Sequence, residues 1–318
     1  MKTALLHSDD LLNNDNLNFF SDFYDSVESG LGKTSLTRMS LKSWYENKDS
    51  FDFDLIAMIG IHKPANLRGF YSGEVLKHQY KNNKKCLVME RGYLGNREKY
   101  WSVGFDGLNG RGNFNNDNMP SDRFDKLNIK LKEIYKADRT GENVLFCLQL
   151  PWDSAVSHLW YPEFVYDSIK KMLDVTKKNI LLRHHPLYKE RIKKAKKWKY
   201  KPRVVDSFNK AIDSFSKNPR VIISQEKSLQ EELSRSHCLV TLNSNSAVDA
   251  MIEGVPSIVL DKGSMIYDVS HKSLFEIDTL HVGTTLHFRE QKLYDIAYAQ
   301  WDNEEISQGE PFKHLGII

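Results

Sequence analysis

Short apolar runs alternate with amphipathic segments along most of the chain. This alternation is typical of strands and helices in succession, and it predicts an α/β fold whose parallel sheets are joined by crossover helices. In the first half the pattern predicts strands at residues 3–7, 54–61 and 85–90, with helices near 16–28 and 73–82. In the second half it predicts strands at 143–150, 179–185, 220–224, 238–242 and 256–260, with helices near 161–177, 203–217 and 228–236.

The length of the chain predicts two domains, because 318 residues exceed the usual size of a single hydrophobic core. A polar helical segment that ends at Gly141, just before a strand, marks the expected boundary. Leu293, Ile296, Ala297 and Gln300 are at helical spacing, which predicts one or two closing helices near the end of the sequence. The predicted divisions are 1–140, 141–285, and a C-terminal segment 286–318 that packs back across the domains.

The composition is that of a globular protein. No apolar run approaches the roughly 20 residues that span a bilayer, so we expect no membrane insertion. The opening segment meets Asp9 and Asp10 before it could form the apolar core of a secretion signal. The three cysteines match no zinc or redox spacing. Together these features predict a location in the cytoplasm of a bacterial or phage-infected cell.

The first candidate site is a run of small polar residues, Asn243 to Ser246, between a predicted strand and a short helix that stops at Gly254 and Pro256. This pattern places backbone N–H groups and serine hydroxyls just outside the carboxyl end of a parallel strand, where α/β proteins bind anions and phosphates. An ordinary strand–helix crossover capped by Ser or Asn would have the same spacing.

The stretch from Ser244 to Pro256, S-N-S-A-V-D-A-M-I-E-G-V-P, resembles the donor-site signature of GT-B glycosyltransferases. The resemblance implies two Rossmann-like domains facing a cleft. It also implies that Asp249 holds the ribose hydroxyls of a nucleotide sugar and that Ser244, Asn245 and Ser246 hold its diphosphate. The family usually has Glu where this chain has Asp249, which is one methylene shorter.

The second candidate site is Arg183-His184-His185-Pro186, which follows a predicted strand of the same domain. It resembles the [RK]-x-H-P motif of capsule sugar transferases and polyol-phosphate transferases. The resemblance implies that Arg183 and His185 bind the donor diphosphate and stabilise it as it leaves. Adjacent strand residues point in opposite directions, so only one of the two histidines can face the ligand. A buried structural histidine beside a surface ion pair is the alternative.

In the first half, residues 88–114 are rich in glycine and aromatic residues and follow a strand, which predicts a loop of special turns. Inverting glycosyl transfer needs a carboxylate that takes a proton from the acceptor hydroxyl. GT-B enzymes usually take this base from the N-terminal domain, which makes Glu90 and Asp106 the candidates, with Arg91 and Arg111 as acceptor contacts. An irregular loop with ordinary surface charges is the alternative.

Asp52-Phe53-Asp54 has the form of a D-x-D metal motif. A metal motif of this kind should follow a strand, whereas this one precedes the strand predicted at 54–61. We therefore expect a chance match and no metal.

The net charge of +3 is unevenly distributed, because residues 189–203 carry nine Lys and Arg against one Glu. Clustered cations neutralise phosphates, and nearby aromatic rings can stack on exposed bases. The segment therefore predicts a nucleic-acid contact through Lys193, Lys194, Lys197 and Trp198. A solvated basic helix, an anionic glycan and a membrane surface remain open as explanations.

The run from Trp301 to Glu310 is similar to the tail of phage-encoded sugar transferases. That resemblance implies transfer from a UDP-sugar, with no other cofactor, to a hydroxymethylated pyrimidine in phage DNA. A flipped base could enter the segment 88–114. One alternative is capsule or surface polysaccharide synthesis from a CMP- or UDP-sugar. Another is a non-catalytic module that binds nucleotides or nucleic acid.

Overall fold

The computed structural model describes residues 1–7, 17–32, 36–60, 67–134, 141–195, 201–225, 228–280 and 288–318. The chain forms two compact units, one of residues 1–127 with 293–318 and the other of residues 128–292. The division falls before the expected boundary at Gly141, because the backbone N–H of Lys132 donates to the carbonyl of Ile252 in the second unit (3.0 Å). Residues 293–318 belong to the N-terminal unit.

The elements are numbered along the chain. The strands are β1 (Thr3–His7), β2 (Leu36–Ser40), β3 (Leu55–Ile59), β4 (Lys85–Arg91), β5 (Tyr100–Phe105), β6 (Asn143–Cys147), β7 (Asn179–Arg183), β8 (Val221–Ile223), β9 (Ser236–Thr241), β10 (Ser257–Val259) and β11 (Gln300–Asp302). The helices are α1 (Leu17–Leu31), α2 (Leu41–Glu46), α3 (Leu67–Lys81), α4 (Asp122–Asp125), α5 (Tyr161–Val175), α6 (Tyr188–Ala195), α7 (Lys201–Asp213), α8 (Leu229–Arg235), α9 (Ser246–Ile252), α10 (Arg289–Ala297), α11 (Asn303–Ser307) and α12 (Glu310–His314).

The N-terminal unit is built on a six-stranded sheet in the order β11-β5-β4-β3-β1-β2. β1 to β4 are parallel, whereas β5 and β11 are each antiparallel to their neighbour. Alternate residues of the central strands enter two cores. Leu5, Ala57 and Leu87 pack with Phe23 of α1 on one face, and Leu6, Ile56 and Val88 pack with Trp44 of α2 on the other. Burial on both faces explains the continuous apolar runs of these strands.

The segment predicted as a loop over 88–114 contains a strand, β5. All of its residues except Tyr100 are buried, and the ring of Trp101 stacks on that of Phe23 of α1 with centroids 3.7 Å apart. Position 104 requires glycine, because a Cβ there would lie 2.5 Å from the ring of Phe114. Gln300, predicted on a helix, begins the antiparallel strand β11 instead.

The C-terminal unit is built on a wholly parallel five-stranded sheet in the order β10-β9-β6-β7-β8. All five strands and the three helices predicted for this half are present. Its core contains Val144, Phe146, Leu182 and Val240 from the strands, with Ile169 from α5 among the helical residues. The predicted α/β class with two Rossmann-like units is confirmed. None of the described helices is long and apolar enough to cross a membrane.

Candidate functional site

The strand order of the C-terminal unit locates a crevice at the carboxyl ends of β6 and β9. From β6 the chain proceeds outward to β7 and β8, and it then returns to the other side of β6 to form β9 and β10. The loops after β6 and β9 therefore leave the sheet in opposite directions. In open α/β sheets, ligands bind at this switch point.

Two buried amides join the loops at this point. Nε2 of Gln149 donates to Oδ1 of Asn243 (2.8 Å), and the backbone N–H of Asn243 donates to Oε1 of Gln149 (3.3 Å). Nδ2 of Asn243 also donates to the carbonyl of Ala155 (2.9 Å) and to Oδ1 of Asp261 (2.7 Å). Asn243 is only 2 % exposed, so these bonds are shielded from water. One side chain thus fixes the loops that follow β6, β9 and β10.

The loop between β9 and α9 has the tight local structure that its small polar residues predicted. The backbone N–H of Ser244 donates to Oγ1 of Thr241 (3.3 Å), and that of Ser246 donates to Oγ of Ser244 (3.2 Å). Asn245 is the N-cap residue of α9, without a capping bond from its side chain. Asp249 lies half-buried one turn into the helix.

The buried Cys147 thiol at the end of β6 shows which predicted residues are neighbours. Burial raises its pKa to about 12, a nearby hydroxyl of Ser246 and the charge of Arg183 lower this pKa, and the carboxylates of Glu232 and Asp249 raise it. The structure therefore gathers residues from both predicted motifs around the end of one strand.

Arg183 is engaged in an ion pair that its sequence motif did not indicate. Its Nη1 lies 2.6 Å from Oε2 of Glu232, a carboxylate on α8 that is almost completely buried. The hydroxyl of Ser224, which follows β8, donates to the same carboxylate. This arrangement supports the structural alternative for Arg183, although the residue does lie at the carboxyl edge of the sheet.

The two histidines that follow Arg183 have different surroundings. The ring of His184 stacks on Tyr188 with centroids 4.8 Å apart, and burial, followed by the charge of Lys189, lowers its pKa. Nδ1 of His185 accepts from the backbone N–H of Leu187 (3.1 Å). Burial lowers the pKa of His185 and Arg191 lowers it further, whereas Asp153 in the loop after β6 raises it. Of the two histidines, His185 is the one whose pKa a carboxylate in the loop after β6 affects.

The two candidate bases lie at opposite ends of the N-terminal sheet. Glu90 is near the carboxyl end of β4, where its Oε1 accepts from the backbone N–H of Arg91 (3.0 Å). Asp106 follows β5, which is antiparallel, and so lies at the amino end of β4. There its Oδ1 accepts from the N–H of Cys86 (2.9 Å) and its φ is +61°. Asp106 therefore stabilises a turn, and this position argues against its predicted role as a base.

The predicted acceptor contacts are spread over both units. Arg91 lies over the ring of Trp101 at 4.9 Å, and its Nη1 donates to the carbonyl of Glu98 (3.1 Å). Arg111 is exposed in a 3-10 turn after β5, toward the amino end of the parallel strands. In the C-terminal unit Lys193 is exposed on α6, and Lys194 follows it in the same helix. Lys197 and Trp198 lie outside the described residues.

The carboxylates of the D-x-D pattern have structural partners at the amino end of β3. Asp52 pairs with Lys84, which lowers the pKa of Asp52, and Oδ2 of Asp54 accepts from the backbone N–H of Lys2 (2.7 Å). Within the described ranges, no group of three or more His, Cys, Asp or Glu side chains is arranged to hold a metal ion.

Four functional candidates carried no motif in the sequence: Gln149, His158, Glu232 and Asp261. Gln149 and Asp261 each come two residues after a strand of the C-terminal sheet. Polar residues at the carboxyl ends of predicted parallel strands were therefore the available signal. Glu232 carried no such signal. Its partner, Arg183, is 49 positions away in the sequence, so the ion pair that allows this carboxylate to be buried is evident only in the tertiary structure.

No family model and no curated protein sequence matches the chain. In fold it is similar to two solved structures from Thermosulfurimonas dismutans. The KpsC beta Kdo 2,4 transferase is 12 % identical, with 87 % of this chain and 89 % of that chain covered and a TM-score of 0.47. The KpsC beta Kdo 2,7 transferase is 11 % identical, with 100 % and 99 % covered and a TM-score of 0.46.

A UDP-GlcNAc 2-epimerase of Methanocaldococcus jannaschii, solved in complex with UDP-GlcNAc and UDP, is also similar. It is 12 % identical, with 82 % of this chain and 84 % of that chain covered and a TM-score of 0.29. All three TM-scores are below 0.5.

Proposed function

We propose that the protein is a glycosyltransferase whose nucleotide-sugar donor, a UDP- or CMP-sugar, binds at the carboxyl ends of β6 and β9. The observation that carries the proposal is the bonding of Asn243 to Gln149, Ala155 and Asp261. This network joins three loops at the switch point of a parallel sheet, which is where such sheets bind nucleotides.

Each part of the donor has a candidate partner in this unit. Ser244, Asn245 and Ser246 supply hydroxyl and side-chain amide groups for the diphosphate, and Asp249 supplies a half-buried carboxylate for the ribose hydroxyls. His185 lies near the loop after β6 and can stabilise the charge on the departing nucleotide. For Arg183 we propose a supporting part, because its ion pair with Glu232 holds the end of β7 to α8.

For the acceptor side we propose Glu90 as the base. It is the one of the two candidate carboxylates that lies at the carboxyl edge of its sheet. The carboxylate would take the proton from the acceptor hydroxyl as the sugar is transferred, which requires it to be ionised at the operating pH.

We propose an anionic polymer as the acceptor, because α6 carries the exposed cations Lys189, Arg191 and Lys193. A surface glycan and hydroxymethylated DNA both have this chemistry. The R-H-H-P resemblance favours the glycan. The tail resemblance that favours DNA is carried by residues such as Trp301 and Ile306, which are buried in the core of the N-terminal unit. Those residues therefore support the fold and say little about the acceptor.

The test is a transfer assay with panels of UDP- and CMP-sugars, offered hydroxymethylated DNA in one arm and an anionic capsular glycan in the other. Transfer in either arm supports the enzyme and identifies the acceptor. Binding of a nucleotide with no transfer from any donor would favour the non-catalytic module. If neither UDP nor CMP binds, the proposed donor site is wrong.

A further inference from the structure

A histidine–carboxylate pair lies beside the donor crevice, outside both sequence motifs. Nε2 of His158, in the loop after β6, lies 3.3 Å from Oδ2 of Asp261, which follows β10. The His158 side chain is 41 % exposed, whereas that of Asp261 is 13 % exposed. The pair is thus anchored on its acidic side and open to solvent on its imidazole side.

Asp261 is held firmly, and its position is tied to the crevice. Its Oδ1 accepts from Nδ2 of Asn243 (2.7 Å) and from the backbone N–H of Gly263 (2.9 Å). Asn243 is the residue immediately before the Ser244–Ser246 loop. Through two contacts His158 is therefore connected to the loop that we propose as the phosphate site.

The chemistry of the pair suits an anionic ligand. With Nε2 directed to the carboxylate, Nδ1 is the ring nitrogen that can donate to a ligand, and a carboxylate behind an imidazole fixes the orientation of the ring. A protonated imidazole that donates to a phosphate oxygen forms a charge-assisted hydrogen bond, which is stronger than a bond between neutral groups.

We infer that His158, oriented by Asp261, is a further phosphate-binding residue of the donor site. The inference rests on the proposed function, because it assigns a residue to the nucleotide that the proposal places at β6 and β9. It adds a ligand from the loop after β6 to those from β7 and β9, so that the diphosphate is held from three strands.

The test compares the affinity of the full-length protein for UDP and CMP, measured by calorimetry, with that of His158→Gln and His158→Arg. We expect His158→Gln to weaken the binding of the preferred nucleotide about tenfold, as loss of a charge-assisted hydrogen bond does. His158→Arg keeps a cation and donors, and it should recover most of that affinity. The melting temperature of each variant checks the fold.

A matched pair of carboxylate variants isolates the orienting role. Asp261→Asn should also weaken nucleotide binding, but less than His158→Gln does. The control is another histidine–carboxylate pair of the same unit, His271 with Glu276, which lies beside the middle of β10. Glu276→Gln removes its carboxylate and should leave the nucleotide affinity unchanged.

Three results would overturn the inference. If the unaltered protein binds nucleotide and His158→Gln binds it equally well, His158 is not a ligand, while the proposed donor site stands. If His158→Arg binds no better than His158→Gln, the effect is one of packing. If the unaltered protein binds neither nucleotide, the proposed function and this inference fail together.

Discussion

Both units use buried side-chain amides near the carboxyl ends of parallel strands, but the amides join different elements and therefore have different effects. In the N-terminal unit, Oε1 of Gln300 accepts from the backbone N–H groups of Tyr93 (2.7 Å) and Leu94 (2.8 Å), which are more than 200 residues away. In the C-terminal unit, Gln149 and Asn243 bond to each other at the carboxyl ends of neighbouring strands.

The first amide joins the edge strand β11 to the segment that follows β4. β11 pairs with β5, and Arg123 reinforces it through a two-point contact with Glu305 and a position 3.8 Å above the ring of Trp301. The second amide shapes a crevice, because the loops that it joins carry polar residues and leave the sheet in opposite directions. Substitutions around Gln300 should therefore reduce the stability of the N-terminal unit, whereas substitutions around Gln149 and Asn243 should reduce nucleotide binding.

The largest expected effect is on turnover and concerns the carboxyl edge of the N-terminal sheet. Glu90→Gln should lower kcat for sugar transfer about a thousandfold, because a base contributes a factor of this order. The control is Asp106→Asn, which keeps an acceptor for the N–H of Cys86 and tolerates the positive φ. It should leave kcat unchanged. A Glu90→Gln variant with normal turnover would exclude Glu90 as the base.

The next effect is on stability. Trp301→Ala should lower the free energy of unfolding by about 3–5 kcal/mol in urea denaturation, since it empties a buried aromatic site in the core of the N-terminal unit. Nucleotide affinity should not change. Lys313→Ala, which removes a cation half-exposed beside Glu310, is the control and should cost less than about 1 kcal/mol. Weakened affinity with unchanged stability would contradict the structural role.

At the crevice we expect a substitution to weaken nucleotide binding. Asn243→Ala should weaken nucleotide binding at least about tenfold in calorimetry, because the three loops lose their common anchor. Asn179→Ala is the matched control, since its Nδ2 contacts Asn143 at the amino end of the same sheet (3.3 Å). If both variants bind nucleotide equally, the amino and carboxyl ends of this sheet do not differ in function.

A smaller effect is expected on the salt dependence of acceptor binding. With hydroxymethylated DNA as the acceptor, replacing the exposed Lys189 and Lys193 of α6 with Gln should reduce the log–log slope of affinity against salt by about 1 for each phosphate that the helix no longer neutralises. The exposed Lys177, at the amino end of β7, provides a control substitution that should not change the slope. An unchanged slope in the α6 variant would show that this helix is simply solvated.

The smallest expected effect is that of pH on the stability of the C-terminal unit. Burial lowers the pKa values of His184 and His185, so the unfolded chain binds more protons as the pH falls below the ordinary histidine value of about 6.5. The free energy of unfolding should therefore be highest above that value and decrease below it. His184→Phe, which keeps an aromatic ring on Tyr188, should flatten this dependence in urea denaturation. A slope that is identical in the two proteins would exclude His184 as a contributor.

Sequence patterns predicted the C-terminal sheet well and the N-terminal sheet only in part. The strands of the C-terminal unit each carry enough apolar residues to be recognised alone, and helices separate them regularly. β5 and β11 lack that local signal, because glycine and polar residues interrupt them and each is stabilised by the other across about 200 positions. Gly104 indicated a turn in the sequence, but in the structure it lies in β5, where the lack of a side chain leaves room for the ring of Phe114.

The sequence by itself determined the α/β class, the two-unit organisation and the polar loop Asn243–Ser246, because these depend on local periodicity and on residues that favour turns. Only the tertiary structure decided which polar residues meet. It separated Asp106 from Glu90, paired Arg183 with Glu232, and brought Gln149, Asn243, Asp261 and His158 together. The physical reason is that strand order, which no local pattern encodes, determines which carboxyl-end loops are neighbours.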